Sequence, residues 1–261
     1  MKMDKLTRYE KEALHQRLKV EWTYRSNAIE GNTISLGDTA FIIENGLTIK
    51  GKSIAEHNEI IGHARAIDLI YEMIEKEIII KEDICLLHKA VQTERIIDSE
   101  CPIGDYKVQP NGRYVKMSNG SYEHHFYPHP NDTDHLMELW FKDFGDISKP
   151  LQSFDECVSL YTDMHVAFAS IHPFFDGNGR LARLVANIPL LKRGYLPLIV
   201  SNEDRQEYIE LLSTYNLNVK ALDKNTHNLI EKNEAYQALG VFFKEQYKNS
   251  QRLLDEIRST R

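Results

Sequence analysis

Apolar residues recur at three- and four-residue spacings along most of this 261-residue chain, a periodicity that confines it largely to packed helices. Leu6, Leu14, Leu18 and Trp22 mark an amphipathic helix over Asp4 to Ile29. Ser35-Leu36-Gly37-Asp38 starts a shorter helix that runs to Glu44 and stops at Asn45-Gly46. Ser53, with Glu56 three residues on, forms a capping box for a helix through Ile60, Ala64, Ile67 and Ile70 to about Glu75. Ile84, Leu87, His88 and Val91 line another over Lys81 to Gln92. Phe154 to Ile171 and Asn178 to Lys192 read as two more, the second kinked near Val185 by Pro189 and ended by Gly194. Ser201 caps a helix from Asn202 to Leu217, and Thr226 to Thr260 supplies one or two terminal helices.

One segment breaks the pattern. Gly104, Pro110, Gly112, Gly120, Pro128 and Pro130 punctuate Cys101 to His129, and Tyr114-Val115-Lys116-Met117 is β-prone. A hairpin with turns near Asn111-Gly112 and Asn119-Gly120 fits it. His124, His125 and His129 lie there among aromatics and prolines without a fixed ligand geometry, so a metal site is not read from them.

Composition sets outer bounds. The formal charge of −7 argues against bulk nucleic-acid binding as the main role. Cys85, Cys101 and Cys157 are odd in number, lack CxxC spacing and read as reduced thiols. With no apolar signal region in MKMDKLTRYEKEALHQ and no run of membrane-spanning length, the expectation is a cytoplasmic protein with no membrane partner.

The chemistry concentrates in His172-Pro173-Phe174-Phe175-Asp176-Gly177-Asn178-Gly179-Arg180-Leu181-Ala182-Arg183, a loop joining two helices. The backbone N–H groups that open the second helix lack internal partners and carry the positive end of the helix dipole. The glycines let an anion approach that backbone, and Arg180 and Arg183 share the face beside it. This is a phosphate-binding design with a base, His172, and a carboxylate, Asp176, at its edge. One carboxylate plus phosphate oxygens suits Mg²⁺ or Mn²⁺; zinc suits it less, because the motif offers one histidine and no thiolate. His165, seven residues before His172, reads as a packed or hydrogen-bonded neighbour.

This string resembles the signature of the Fic family, HPFx[D/E]GN[G/K]RxxR, at all nine specified positions. The resemblance implies an all-α Fic fold, a helical bundle with a short β-hairpin flap next to the active site. It also implies transfer of AMP from ATP onto a hydroxyl side chain of a protein, with release of pyrophosphate. His172 would take the hydroxyl proton, Asp176 would hold the metal, Gly177, Asn178 and Gly179 would form the anion hole, and Arg180 and Arg183 would clamp the phosphates. Glycine at 179, where the Doc branch has lysine, favours nucleotidyl transfer over reversed phosphate transfer. Gly104-Asp105-Tyr106-Lys107 resembles the family's Gly-x-Tyr-Arg lead-in to the flap, with lysine for arginine, and the target hydroxyl would dock on the flap at 104–129. Glu203, Arg205 and Tyr208 resemble a segment lining the adenine and ribose pocket, with Tyr208 packing on adenine.

Ser26-Asn27-Ala28-Ile29-Glu30-Gly31 resembles the inhibitory motif [S/T]xxxE[G/N] of the family. Glu30 would pair with Arg183 and occupy the partner of the γ-phosphate. Residues 1–50 would then be an N-terminal region carrying inhibition, 51–222 the Fic core, and 223–261 C-terminal helices without a winged-helix module. Self-modification is expected. Three alternatives stay open: a deAMPylase or bifunctional enzyme using Glu30 to position water, a non-catalytic nucleotide-binding regulator, and assembly as monomer or homodimer.

Overall fold

The computed structural model describes residue 3 and residues 6–93, 99–116, 120–151 and 153–259. Asp4, Met117, Asn119 and Thr260, invoked above as ends of elements or parts of a turn, lie outside the described residues. The chain runs α1 (Arg8–Ile29), α2 (Leu36–Asn45), α3 (Ile54–Met73), α4 (Lys81–Val91), β1 (Gly112–Lys116), β2 (Tyr122–Phe126), α5 (Pro130–Phe144), α6 (Phe154–Ile171), α7 (Asn178–Val185), α8 (Ile188–Lys192), α9 (Arg205–Leu217) and α10 (Glu234–Ser259). Among the described residues the fold is all-α apart from one hairpin and an isolated antiparallel bridge between Ile78 and Asp146. The hairpin strands pair antiparallel, Gly112 opposite Phe126, Tyr114 opposite His124 and Lys116 opposite Tyr122. Asn111-Gly112 therefore enters the hairpin as the start of a strand rather than as a turn.

Local chemistry sets most helix starts. Thr7 and Glu10 form a capping box on α1, as Ser53 and Glu56 do on α3. Ser35 and Ser153 each accept the N–H three residues on. α5, for which no helix was anticipated, opens with His129 accepting from Asn131 and Pro130 in its first turn. Its buried Leu136, Met137, Trp140 and Phe144 had the helical spacing. α9 starts at Arg205, not Asn202, because the Ser201 hydroxyl is engaged by Arg25 and Glu203 instead of capping. The helix after the motif is not merely kinked but broken. Pro189 has no N–H to offer and its ring crowds the carbonyl of Val185, where α7 ends. Asn187 closes the break by bonding Arg183 O and Leu198 O, each at 2.9 Å.

α6 runs through the middle, with Cys157, Tyr161, Phe168 and Ile171 fully buried among α5, α7, α8 and α10. The same hydrophobic cluster takes in Leu14, Leu18 and Trp22 of α1 and Phe243 and Leu254 of α10. The N-terminal helix is thus fixed against the elements that carry the motif. Among the described residues no helix is long and apolar enough to cross a membrane.

Candidate active site

α6 ends abruptly. His172 takes the left-handed conformation (φ 52°, ψ 58°), the one non-glycine residue with positive φ among those described, and its N–H closes on Phe168 O. Such a residue stores about 1–3 kcal/mol of strain, and the turn directs the loop back across the end of α6. Phe174 plugs the loop, fully buried, with its ring on His88 at 3.9 Å. Asn178 clasps the plug: its Oδ1 accepts from Phe174 N–H at 2.9 Å and its Nδ2 donates to Phe174 O at 2.8 Å. Asn178 thus offers the anion hole its backbone, while its side chain is committed to the loop. His88 accepts from Gly104 N–H through Nδ1, so Nε2 carries the proton it donates to Asp176 O at 3.2 Å. Gly177 (φ 78°) makes the left-handed turn that opens α7, where a Cβ would lie 2.7 Å from Gln92 Nε2.

The flap side covers His172. Lys107 N–H donates to Pro173 O, and its buried Nζ donates to Asn111 Oδ1 at 2.9 Å. Asn111 Nδ2 in turn bonds Phe174 O and Phe175 O. Tyr127, just after β2, stacks on the imidazole with ring centroids 3.5 Å apart and planes within 5°. Among the described residues the imidazole makes one hydrogen bond, 3.4 Å from Nδ1 to Ala169 O. A carbonyl only accepts, so Nδ1 bears the proton and Nε2 is left with its lone pair. Burial, with the charges of Lys107 and Arg113, pushes the His172 pKa down to about 3. Burial lowers Lys107 to about 8.

On the other side, Arg183 is 3% exposed and fully engaged. Nε donates to Ser26 Oγ (3.0 Å), Nη1 to Tyr208 Oη (3.4 Å), and Nη2 to Ser26 O (2.9 Å) and Glu30 Oε1 (2.7 Å). Burial opposes its charge, yet the adjacent Glu30 carboxylate holds its pKa above the ordinary value. Ser26 and Glu30 reach it together because they lie one turn apart at the end of α1, which Gly31 terminates at φ 99°. A Cβ at Gly179 would fall 2.5 Å from Glu30 Oε1, so this glutamate has its seat because residue 179 has no side chain. Asn32 Nδ2 to Glu59 (2.9 Å) and Arg205 Nε to Ile29 O (2.6 Å) fix this end of α1 from both flanks.

Arg180 differs. It is equally buried, but Nε and Nη1 have no hydrogen-bond partner, and it is held by two long ion pairs, to Glu59 at 3.5 Å and Asp176 at 3.9 Å. Buried donors of this kind at a helix start suit an incoming anion. Asp176 keeps a half-exposed carboxylate, and no cluster of three or more metal-ligating side chains occurs among the described residues. That donor set fits Mg²⁺ or Mn²⁺ completed by phosphate oxygens and water. Tyr208 is placed otherwise than expected. Its ring is 2% exposed against Phe242 and Phe243, and its hydroxyl joins His165 Nε2 (2.9 Å) to Arg183, leaving no face for adenine. An open groove of about 570 Å³ runs beside the hairpin instead, lined by Arg113, His125, Tyr127, Asn216 and Lys220.

A model of the Fic/DOC family matches residues 78–190, which include the whole motif loop. A protein adenylyltransferase Fic of Drosophila willistoni is 34% identical over 81% of this chain. This chain belongs to the Fic/DOC family. A second Fic relative, the protein adenylyltransferase Fic of Nematostella vectensis, is 35% identical over 74% of the chain. These alignments take in 39% and 42% of the two relatives, so the chain spans about two-fifths of the length of the curated proteins it matches. The fold agrees with a Fic-domain-containing signaling protein of Bacteroides thetaiotaomicron, with a TM-score of 0.79 over 97% of this chain and 93% of the other at 23% identity. Caenorhabditis elegans Fic-1 superposes with a TM-score of 0.69 at 26% identity, covering 99% of this chain and 69% of that one.

Several residues of this Fic site carry no signal in the sequence. Asn111 has the look of a turn residue, and Gln92, Tyr127 and Glu59 stand out in no pattern. His88 has the spacing of the apolar side of α4, and its bond to Asp176 O depends on a loop 88 positions away.

Proposed function

We propose that this chain is a protein adenylyltransferase that moves AMP from ATP to a serine, threonine or tyrosine hydroxyl of a target protein, restrained by Glu30. The observation that carries the reading is a bare imidazole nitrogen on His172 beside a helix start whose first arginine has buried donors without a hydrogen bond. His172 Nε2 takes the proton from the target hydroxyl, whose oxygen bonds to the α-phosphorus. The bond to the β-phosphate bridging oxygen breaks and pyrophosphate leaves. The α7 backbone from Gly177 to Gly179, with Arg180 and Arg183, neutralises the phosphates, and such positioning accounts for most catalysis of phosphorus transfer. Asp176 would hold Mg²⁺ or Mn²⁺, which supplies positive charge to the phosphates when bound.

The hairpin of residues 112–126 is the docking element for the target. Tyr114, Tyr122 and Phe126 are exposed on it, and the groove beside Tyr127 leaves room for what extends beyond the phosphates. Residues 51–222 act as the catalytic core, 1–50 bring Glu30 to Arg183, and 223–261 brace the core. With Glu30 in place, Arg183 cannot meet the γ-phosphate, so the wild type transfers slowly, partly onto itself.

Wild type, Glu30→Gly and His172→Ala, each incubated with α-labelled ATP and Mg²⁺, test the reading. Label should become protein-bound slowly with wild type, rapidly with Glu30→Gly and not with His172→Ala. Label bound equally by all three would sink the transferase assignment. Release of AMP from a pre-modified protein by wild type but not Glu30→Gly would mark the hydrolytic activity instead.

A further inference from the structure

We propose that Tyr127 is a positioning residue for His172: its ring, stacked on the imidazole, fixes the orientation of the base and shields its face from water. The proposal rests on His172 being the base. A single 3.4 Å bond to Ala169 O is too long to hold the ring alone. The 3.5 Å stack holds the plane, and Tyr127 is itself anchored, its N–H donating to Asn111 O at 3.0 Å. Asn111 also ties down Phe174 O and Phe175 O, so one residue sets both the stacking ring and the loop beneath it.

Charged groups reach this stack from four elements. Lys107 precedes β1, with Nζ 5.8 Å from the Tyr127 ring, and Arg113 stands on β1; both disfavour an imidazolium. Asp176 in the motif loop favours it, and Glu30 at the end of α1 acts on Tyr127. The π face of Tyr127 attracts an imidazolium as well, but burial is the largest influence and leaves His172 with a pKa of about 3. The covering ring therefore keeps the base neutral and ready over the physiological range.

The test is an NMR titration of the His172 ring signals, assigned by their loss in His172→Ala, alongside the pH dependence of kcat/KM for AMP transfer. In wild type and Tyr127→Phe, which keeps the stack, His172 should not titrate between about pH 5 and 8. In Tyr127→Ala and Tyr127→Ser its pKa should rise from about 3 towards the ordinary ~6.5, and the acid limb of kcat/KM should move up with it. Folded Tyr127→Ala or Tyr127→Ser protein in which His172 titrates as in wild type would overturn the proposal, as would a Tyr127→Phe protein that behaves like Tyr127→Ala. Transfer that survives in His172→Ala would overturn the base assignment, while the titration would still report whether Tyr127 controls the ring.

Discussion

The two sides of the motif loop treat buried charge in opposite ways. On the α1 side, Arg183 stays charged because all three of its nitrogens donate and Glu30 balances it. On the flap side, buried Lys107 has Asn111 as its side-chain hydrogen-bond partner, and among the described residues no carboxylate pairs with it. Its pKa falls to about 8, and that of His172 beside it to about 3. A buried charge either finds its counter-ion or gives up its proton. The α1 side should therefore respond to loss of a partner residue, and the flap side to loss of cover or to pH.

The largest effect should come from the flap side. Removing a general base lowers the rate by about 10²- to 10⁴-fold, so His172→Ala should lose transfer by that amount. ATP affinity should stay within a few fold, because the imidazole faces the hydroxyl rather than the phosphates. Equilibrium binding of ATP measured beside the rate decides it. A matched fall in both would move His172 to the phosphate side and erase the contrast.

Asn178→Ala attacks the frame that both sides share. Two backbone groups of Phe174 lose a partner at a site 1% exposed, and each such orphan costs about 1–3 kcal/mol. Asn111 still serves Phe174 O, so a loss of roughly 3 kcal/mol by denaturant unfolding is expected. Undiminished stability with weakened ATP binding would place the Asn178 side chain in the anion hole.

Legibility followed sequence distance. The capping box on α3, the span of α6 and the glycine ending α1 depend on neighbours within a few residues, and the sequence displays them; the Thr7–Glu10 box is as local, but the apolar spacing from Leu6 draws the start of α1 too early. The Ser26–Glu30 spacing was equally visible, since one helical turn places both on the face that meets Arg183. Tyr208 misled because an aromatic at helical spacing looks alike whether it lines a pocket or supports an arginine from behind. The flap side was hidden for a related reason. Tyr127 meets His172 across 45 positions of chain, with no periodicity connecting them.

Glu30→Gly tests the α1 side directly. A shift of about 2–3 kcal/mol between nucleotide poses gives roughly 30- to 150-fold faster transfer, at about 1.4 kcal/mol per tenfold. Arg183→Ala placed on top should erase the gain, because the group that the glutamate masks is gone. If the double variant keeps the acceleration, Glu30 restrains the enzyme by another route than this ion pair.

His165 probes whether the contrast extends behind the α1 side. It is fully buried and touches Arg183 only through Tyr208, and burial together with the Arg183 charge lowers its pKa to about 3. In the unfolded chain the same ring titrates near ~6.5. Below that pH the unfolded state binds a proton that the folded state refuses, so stability falls as pH drops through ~6.5 and is retained above it. Between pH 7 and pH 5 this one residue should remove about 2 kcal/mol, at about 1.36 kcal/mol per pH step below ~6.5. His172 adds a similar loss, and His63, buried near both arginines, acts in the same direction. His165→Gln has no proton to take up, so its stability should decline less steeply over that interval than wild type in paired denaturant titrations. Parallel declines would mean that His165 takes up a proton in the fold as readily as in the unfolded chain, with its Nε2–H donating to the Tyr208 oxygen. The saturated environment of Arg183 would then hold a second cation.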